Sequence, residues 1–111
     1  MSSPEALRFA SRFAALGHEV RLEIVRSLLA SHPTGRVAGE LQAELAIPAS
    51  TLSHHLENLV QAGLIEQRRE GRFLRYLPDT RSLRELLDFL YAECCTRNAV
   101  VQIGSLATSR T

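Results

Sequence analysis

Residues 37–77 read VAGELQAELAIPASTLSHHLENLVQAGLIEQRREGRFLRYL. Leu41 and Leu45 stand four apart, Ile47-Pro48 interrupts them, and apolar residues return at Leu52, Leu56, Leu59 and Val60. Helical spacing on both sides of a proline predicts two short helices, over 37–46 and 50–62, joined by a tight turn. Gly63 then stands where a helix C-terminal cap belongs, and the period changes. Leu64 to Arg69 and Phe73 to Leu77 are strand-like runs around Glu70-Gly71, which predicts a β-hairpin over 64–77. Two helices in a helix-turn-helix followed at once by an arginine-rich hairpin make a winged helix-turn-helix, mainly α with a β-hairpin wing.

The flanks fit that frame. Leu7, Ala10, Phe13 and Ala14 predict a first helix over 5–16, closed by Gly17. Val20, Ile24, Val25, Leu28 and Leu29 predict a second over 18–31, ended by Pro33-Thr34-Gly35. Pro78-Asp79-Thr80 supplies a break and an N-cap for a last helix from Arg81 through Cys95, reaching about 103, with a tail over 104–111. The whole is one domain, since 111 residues suit a single compact unit. With 45% hydrophobic and 23% charged residues the composition is that of an ordinary globular chain. A monomer this size buries only roughly 65% of its unfolded surface, so apolar helices left over at the ends point to self-association as a dimer. No run of 18 apolar residues is present, and Met1-Ser2-Ser3-Pro4-Glu5 lacks a signal-peptide pattern, so the expected location is cytoplasmic with no membrane partner.

Net charge is only +1, but its distribution is uneven. All 13 basic residues are arginine, and Arg68, Arg69, Arg72 and Arg75 fall in the hairpin. Forked guanidinium groups suit phosphates and base edges, whereas a merely solvated charged strand is the plainer reading of the same cluster. With Leu52 taken as the inward direction on the second helix of the pair, Ser50, His54, Glu57 and Gln61 point outward, flanked by Thr51 and Ser53. Hydroxyls and imidazole near a helix N-terminus suit a DNA major groove. His55 falls toward the buried side, as a packing residue or a phosphate contact. The neighbours Ser53, His54 and His55 point about 100° apart on a helix and cannot form a nucleophile-base pair, and no acid completes a triad, so the chain is not read as an enzyme.

At Leu16-Gly17-His18-Glu19-Val20-Arg21-Leu22-Glu23-Ile24, Ser50-Thr51-Leu52-Ser53-His54-His55-Leu56, Ala62-Gly63-Leu64-Ile65 and Arg69-Glu70-Gly71-Arg72, the chain resembles the ArsR/SmtB family of metal-responsive transcriptional repressors. The resemblance runs from about Ala6 to Cys95. It implies a homodimer joined through its first and last helices, a recognition helix at Ser50 to Ala62, double-stranded operator DNA as partner, and release of that DNA when an inducer binds. Relatives that sense arsenite on the third helix carry cysteines there, and Glu40 to Leu45 has none. Relatives that sense zinc on the last helices use histidine with acidic residues, and no histidine follows Asp88.

What remains is Cys94-Cys95. On a helix continued through both, Cys94 extends the Leu83, Leu87, Leu90 stripe while Cys95 lies on the polar flank with Arg84, Asp88 and Tyr91. Two adjacent thiolates select soft acceptors, so the expected inducer is a trivalent arsenical or antimonite, with no cofactor required for DNA binding. The third cysteine of arsenic-sensing relatives is missing, since Val100, Val101 and Gln102 stand there. Either arsenite takes an outside third ligand, or a methylated arsenical needs only the two. Three readings stay open beside this: cysteines that simply pack near an interface, a redox or persulfide switch favoured by nearby Arg97, and a protein-interaction module that does not bind DNA.

Overall fold

The computed structural model describes residues 3–93. In chain order it holds α1 (Pro4–Leu16), α2 (Glu19–Ala30), β1 (Arg36–Val37), α3 (Ala38–Leu45), α4 (Ala49–Gln61), β2 (Ile65–Glu70), β3 (Phe73–Pro78) and α5 (Thr80–Tyr91). The winged helix-turn-helix is as the sequence predicts. The α3–α4 turn is the three residues Ala46 to Pro48, with Ala46 left-handed at φ 55 and its amide donating to the Gln42 carbonyl.

Local chemistry sets most helix ends. The Ser3 hydroxyl accepts from the Ala6 amide at 2.9 Å, with Pro4 at the first helical position, where its missing N–H costs nothing. His18 caps α2 through Nδ1, which accepts from the Val20 amide at 3.1 Å. The Asp79 carboxylate accepts from the Ser82 amide at 2.9 Å, as expected for an N-cap. Gly63, at φ 77, lets the chain leave α4 by a left-handed step, and the Leu64 amide donates back to the Leu59 carbonyl at 3.1 Å.

One core ties these elements together. Ile24 and Leu28 from α2, Leu41 from α3, Leu59 from α4, and Leu64 are completely buried, and Leu86 of α5 nearly so. Each contributes roughly 1.5–3 kcal/mol by leaving water. Phe9 of α1 stacks on Phe89 of α5 with ring centroids 4.4 Å apart, and Arg12 bridges to Glu85 at 3.1 Å beside it. The terminal helices therefore pack on each other.

Three expectations are corrected. Val37 is not the first residue of a helix: Arg36–Val37 forms β1, antiparallel to β3, and the sheet has the order β1-β3-β2. A two-residue strand has no periodicity to read, and its partner lies about forty residues away. The inward face of α1 is centred on Phe9, while Leu7, Ala10 and Ala14 are exposed. The hairpin turn is Gly71-Arg72, so Glu70 pairs with Phe73 inside the ladder. The described part of the last helix is α5, Thr80–Tyr91, with Ala92 at its cap, and the expectation that it reaches about 103 falls outside the described residues. Cys94, Cys95 and the rest of that expected helix lie outside the described residues.

Candidate nucleic-acid interface

Helix α4 has two chemically distinct sides. Leu52, His55, Leu56 and Leu59 are buried, whereas Ser50, Thr51, Ser53, His54, Glu57 and Gln61 are exposed. No side chain caps its N-terminus, so the amides of the first turn present donors and the positive end of the helix dipole beside the Ser50 and Thr51 hydroxyls. His54 is steadied by Asn58, whose amide nitrogen donates to the His54 carbonyl at 2.9 Å and lies 3.4 Å from the His54 ring nitrogen Nε2.

His55 is corrected from the set of direct contacts. It is 7% exposed, and its Nδ1 accepts from Arg21 Nε at 3.1 Å, which ties α2 to the back of the recognition helix. His18 lies against it with ring centroids 4.5 Å apart. The packing alternative holds. Sequence reasoning missed the partner, because Arg21 is 34 positions away. Burial holds the His55 imidazole below its usual range, and the neighbouring His18, Arg21 and His54 add to the effect.

A lowered folded-state pKa ties stability to pH. The unfolded chain takes up a proton on His55 near the usual value of about 6.5, before the folded chain does. The contribution is therefore fully present above that pH and is lost as pH falls through the lower folded value. The urea midpoint should drop between about pH 7.5 and about pH 5.5, on either side of that value, and the drop should shrink in His55→Asn, whose amide oxygen can still accept from Arg21. Equal slopes in the two proteins would remove His55 as the cause.

The wing arginines divide into two kinds. Arg75, expected among the DNA contacts, is ion-paired and braces the hairpin, its Nε 2.9 Å from Glu70 Oε1 and its Nη1 donating to the Thr34 carbonyl at 3.3 Å. Arg68 is exposed but bridges to Glu66 at 3.0 Å. Arg69 makes only a 3.4 Å bond to the Gly71 carbonyl, and neither it nor Arg72 forms an ion pair among the described residues. In the sequence the four arginines are equivalent; the strand register decides which two stay available. On the α4 side of the wing, Gln67 donates to the Tyr76 hydroxyl at 2.9 Å, and a groove of about 380 Å³ runs between Ser53, Glu57 and Gln61 on the helix and Gln67, Leu74 and Tyr76 on the wing. Gln67 and Tyr76, a directly opposed pair across β2 and β3, form the wing side of that groove.

An exposed polar recognition helix beside a cationic wing defines the class of winged-helix DNA-binding proteins. Residues 16–68 match a helix-turn-helix domain family. A Halobacterium salinarum protein named as an arsenical resistance operon repressor, ArsR2, is 34% identical over 79 residues, covering 69% of this chain and 66% of its own. A biofilm growth-associated repressor of Xylella fastidiosa is 31% identical over 88 residues, covering 79% and 75%. The solved structure of an ArsR-like transcriptional regulator from Rhodococcus sp. RHA1 superposes with TM-score 0.71 at 27% identity, covering 97% of this chain and 90% of that one. The chain belongs to the ArsR-like family of winged helix-turn-helix transcriptional regulators. No helix among the described residues is long and apolar enough to cross a membrane.

Proposed function

We propose that the protein is a dimeric repressor that holds operator DNA through α4 and the wing and releases it when a trivalent arsenical or antimonite binds Cys94 and Cys95. The observation that carries the DNA-binding half is the placement of Ser50, Thr51, Ser53 and His54 on the one exposed face of α4, beside a wing whose Arg69 and Arg72 have no ion-pair partner among the described residues. In this reading the helix supplies base contacts, while Arg69 and Arg72, with Arg68 at the margin, supply phosphate or minor-groove contacts. The dimer is supported by the apolar surface left on the two terminal helices, Leu7 on α1 with Leu87, Leu90 and Tyr91 on α5. Two recognition helices held about 34 Å apart would match successive half-sites. The inducer rests on the chemistry of two adjacent thiols and on likeness to a relative named for arsenical resistance.

The test is a mobility shift on the upstream DNA across a salt series, repeated with arsenite, methylarsenite, antimonite, zinc, cadmium and peroxide. Arg69→Ala and Arg72→Ala should weaken binding to all sequences and flatten the log–log salt slope by about 1 for each phosphate that the variant leaves unneutralised. Ser53→Ala and His54→Ala should change preference among operator variants and leave that slope in place. Equal weakening on operator and random DNA for all four variants would mean that α4 is not the reader. Release by peroxide and by no metalloid would favour the redox switch, and the absence of any salt-dependent shift would favour a protein partner.

A further inference from the structure

Phe73 stands at the tip of the wing with no role in the contacts above. It opens β3 beside the Gly71-Arg72 turn, opposite Glu70, and is 59% exposed. Strand alternation puts it on the face with Arg68 and Arg75, turned away from α4, whereas Arg69 and Leu74 share the other face. On the Phe73 face the charges cancel in pairs, Glu66 with Arg68 and Glu70 with Arg75. The ring is thus an isolated apolar group at a projecting tip, next to Arg72 of the turn and with Arg69 on the opposite face of the ladder, the two wing cations without ion pairs among the described residues.

A single exposed aromatic is ordinary on a protein surface, but this one differs in its setting. The other large exposed apolar residues among those described lie on α1, α2 and α5, so Phe73 belongs to no apolar patch that a second protein would cover. A surface that pairs guanidinium groups with one apolar wedge is suited to a minor groove, about 6 Å wide and strongly negative, where phenyl rings can enter between base pairs and partly unstack them. Pyrimidine–purine steps yield most easily to such unstacking.

We propose that Phe73 is the wedge of the wing: Arg69 and Arg72 bring the tip into the minor groove flanking the operator half-site, and the ring enters at a base step, so that the wing selects deformable pyrimidine–purine steps. This deepens the DNA-binding reading and rests on it. The full chain would be footprinted on its promoter fragment to locate the wing-proximal step, and 2-aminopurine placed there. Wild type should raise the fluorescence on binding. Phe73→Ala should abolish that rise and weaken binding about 10-fold where the step is TA, with little change on a stiff A-tract flank and with the salt slope unchanged. Phe73→Leu should retain most of both effects, and Arg72→Ala should lower the salt slope by about 1. Phe73→Ala that binds within about twofold of wild type with the fluorescence rise intact overturns the wedge. So does a Phe73→Ala protein with a flattened salt slope, which would mean that the ring only positions the arginines, or one that sediments as a smaller species, which would make Phe73 a contact between copies. A wild-type protein that shows no salt-dependent shift removes the repressor reading itself, an outcome separate from weakened binding in the variant alone.

Discussion

Cys95→Ser is expected to bind operator DNA with wild-type affinity and to lose release by trivalent arsenicals altogether. The proposed inducer site has two soft ligands, and removing one leaves a monodentate thiolate that cannot hold the ion at inducing concentrations. Coupling between inducer and operator of about 1–3 kcal/mol corresponds to a roughly 5- to 150-fold change in DNA affinity, so the wild-type response is large enough for its disappearance to be unambiguous. Cys94→Ser should lose the response equally. The helical projection that set the two cysteines on different flanks does not carry this expectation, because Cys94 and Cys95 lie outside the described residues. It stands on ligand type and count alone. With two thiolates available, methylarsenite should release DNA at lower concentration than arsenite, whose third position must be filled from solution. Operator release titrated with each compound against wild type and both variants is the measurement. A wild-type response in Cys95→Ser would place the site elsewhere, and arsenite acting at lower concentration than its methylated form would end the two-ligand account while leaving the cysteines in place.

Gly35→Ala should be the most destabilising of the small substitutions, costing about 2–4 kcal/mol of the roughly 5–15 available to a domain of this kind. Gly35 sits at φ 76, just before β1, where the chain comes down onto β3. A Cβ there would meet the Tyr76 carbonyl oxygen and the Leu77 side chain, and backbone on the far side cannot move aside without parting the sheet. The left-handed conformation adds about 1–2 kcal/mol for a residue with a side chain. Gly39 makes the control: it lies inside α3 with open space around it, and Gly39→Ala should stabilise by about 0.4–1 kcal/mol by narrowing the unfolded ensemble. Urea denaturation of both variants decides the point. Destabilisation by Gly35→Ala of less than about 0.5 kcal/mol, the usual size of a neutral surface change, would mean that β1 does not need that close approach.

The elements carrying strong local patterns were legible in the amino-acid order: apolar spacing of four and then three residues in Leu52, Leu56 and Leu59, the Asp79 cap, Gly63 after α4, and the change of period at Leu64. Each is a short-range rule of backbone geometry, so the winged helix-turn-helix and the outward face of its recognition helix could be read without coordinates. So could the arginine-rich wing, and with it the DNA-binding class.

The expectations that needed correcting turned on what lies across space. The pairing of Arg36–Val37 with Tyr76 and Arg75, the choice of Phe9 over Leu7 as the inward residue of α1, and the Arg21 bond to the buried His55 all join residues far apart in sequence. The wing makes the distinction most sharply. Its four arginines are equivalent as composition, but the antiparallel register sets Arg75 beside Glu70 and leaves Arg69 and Arg72 without an ion-pair partner among the described residues, and a one-residue shift of the turn is what puts Phe73 at the tip. Local order determines which elements form, because propensity, capping and periodicity act over a few residues. Which charges remain available and which apolar faces stay exposed depends on the partners that folding brings alongside, and only the tertiary structure decides those.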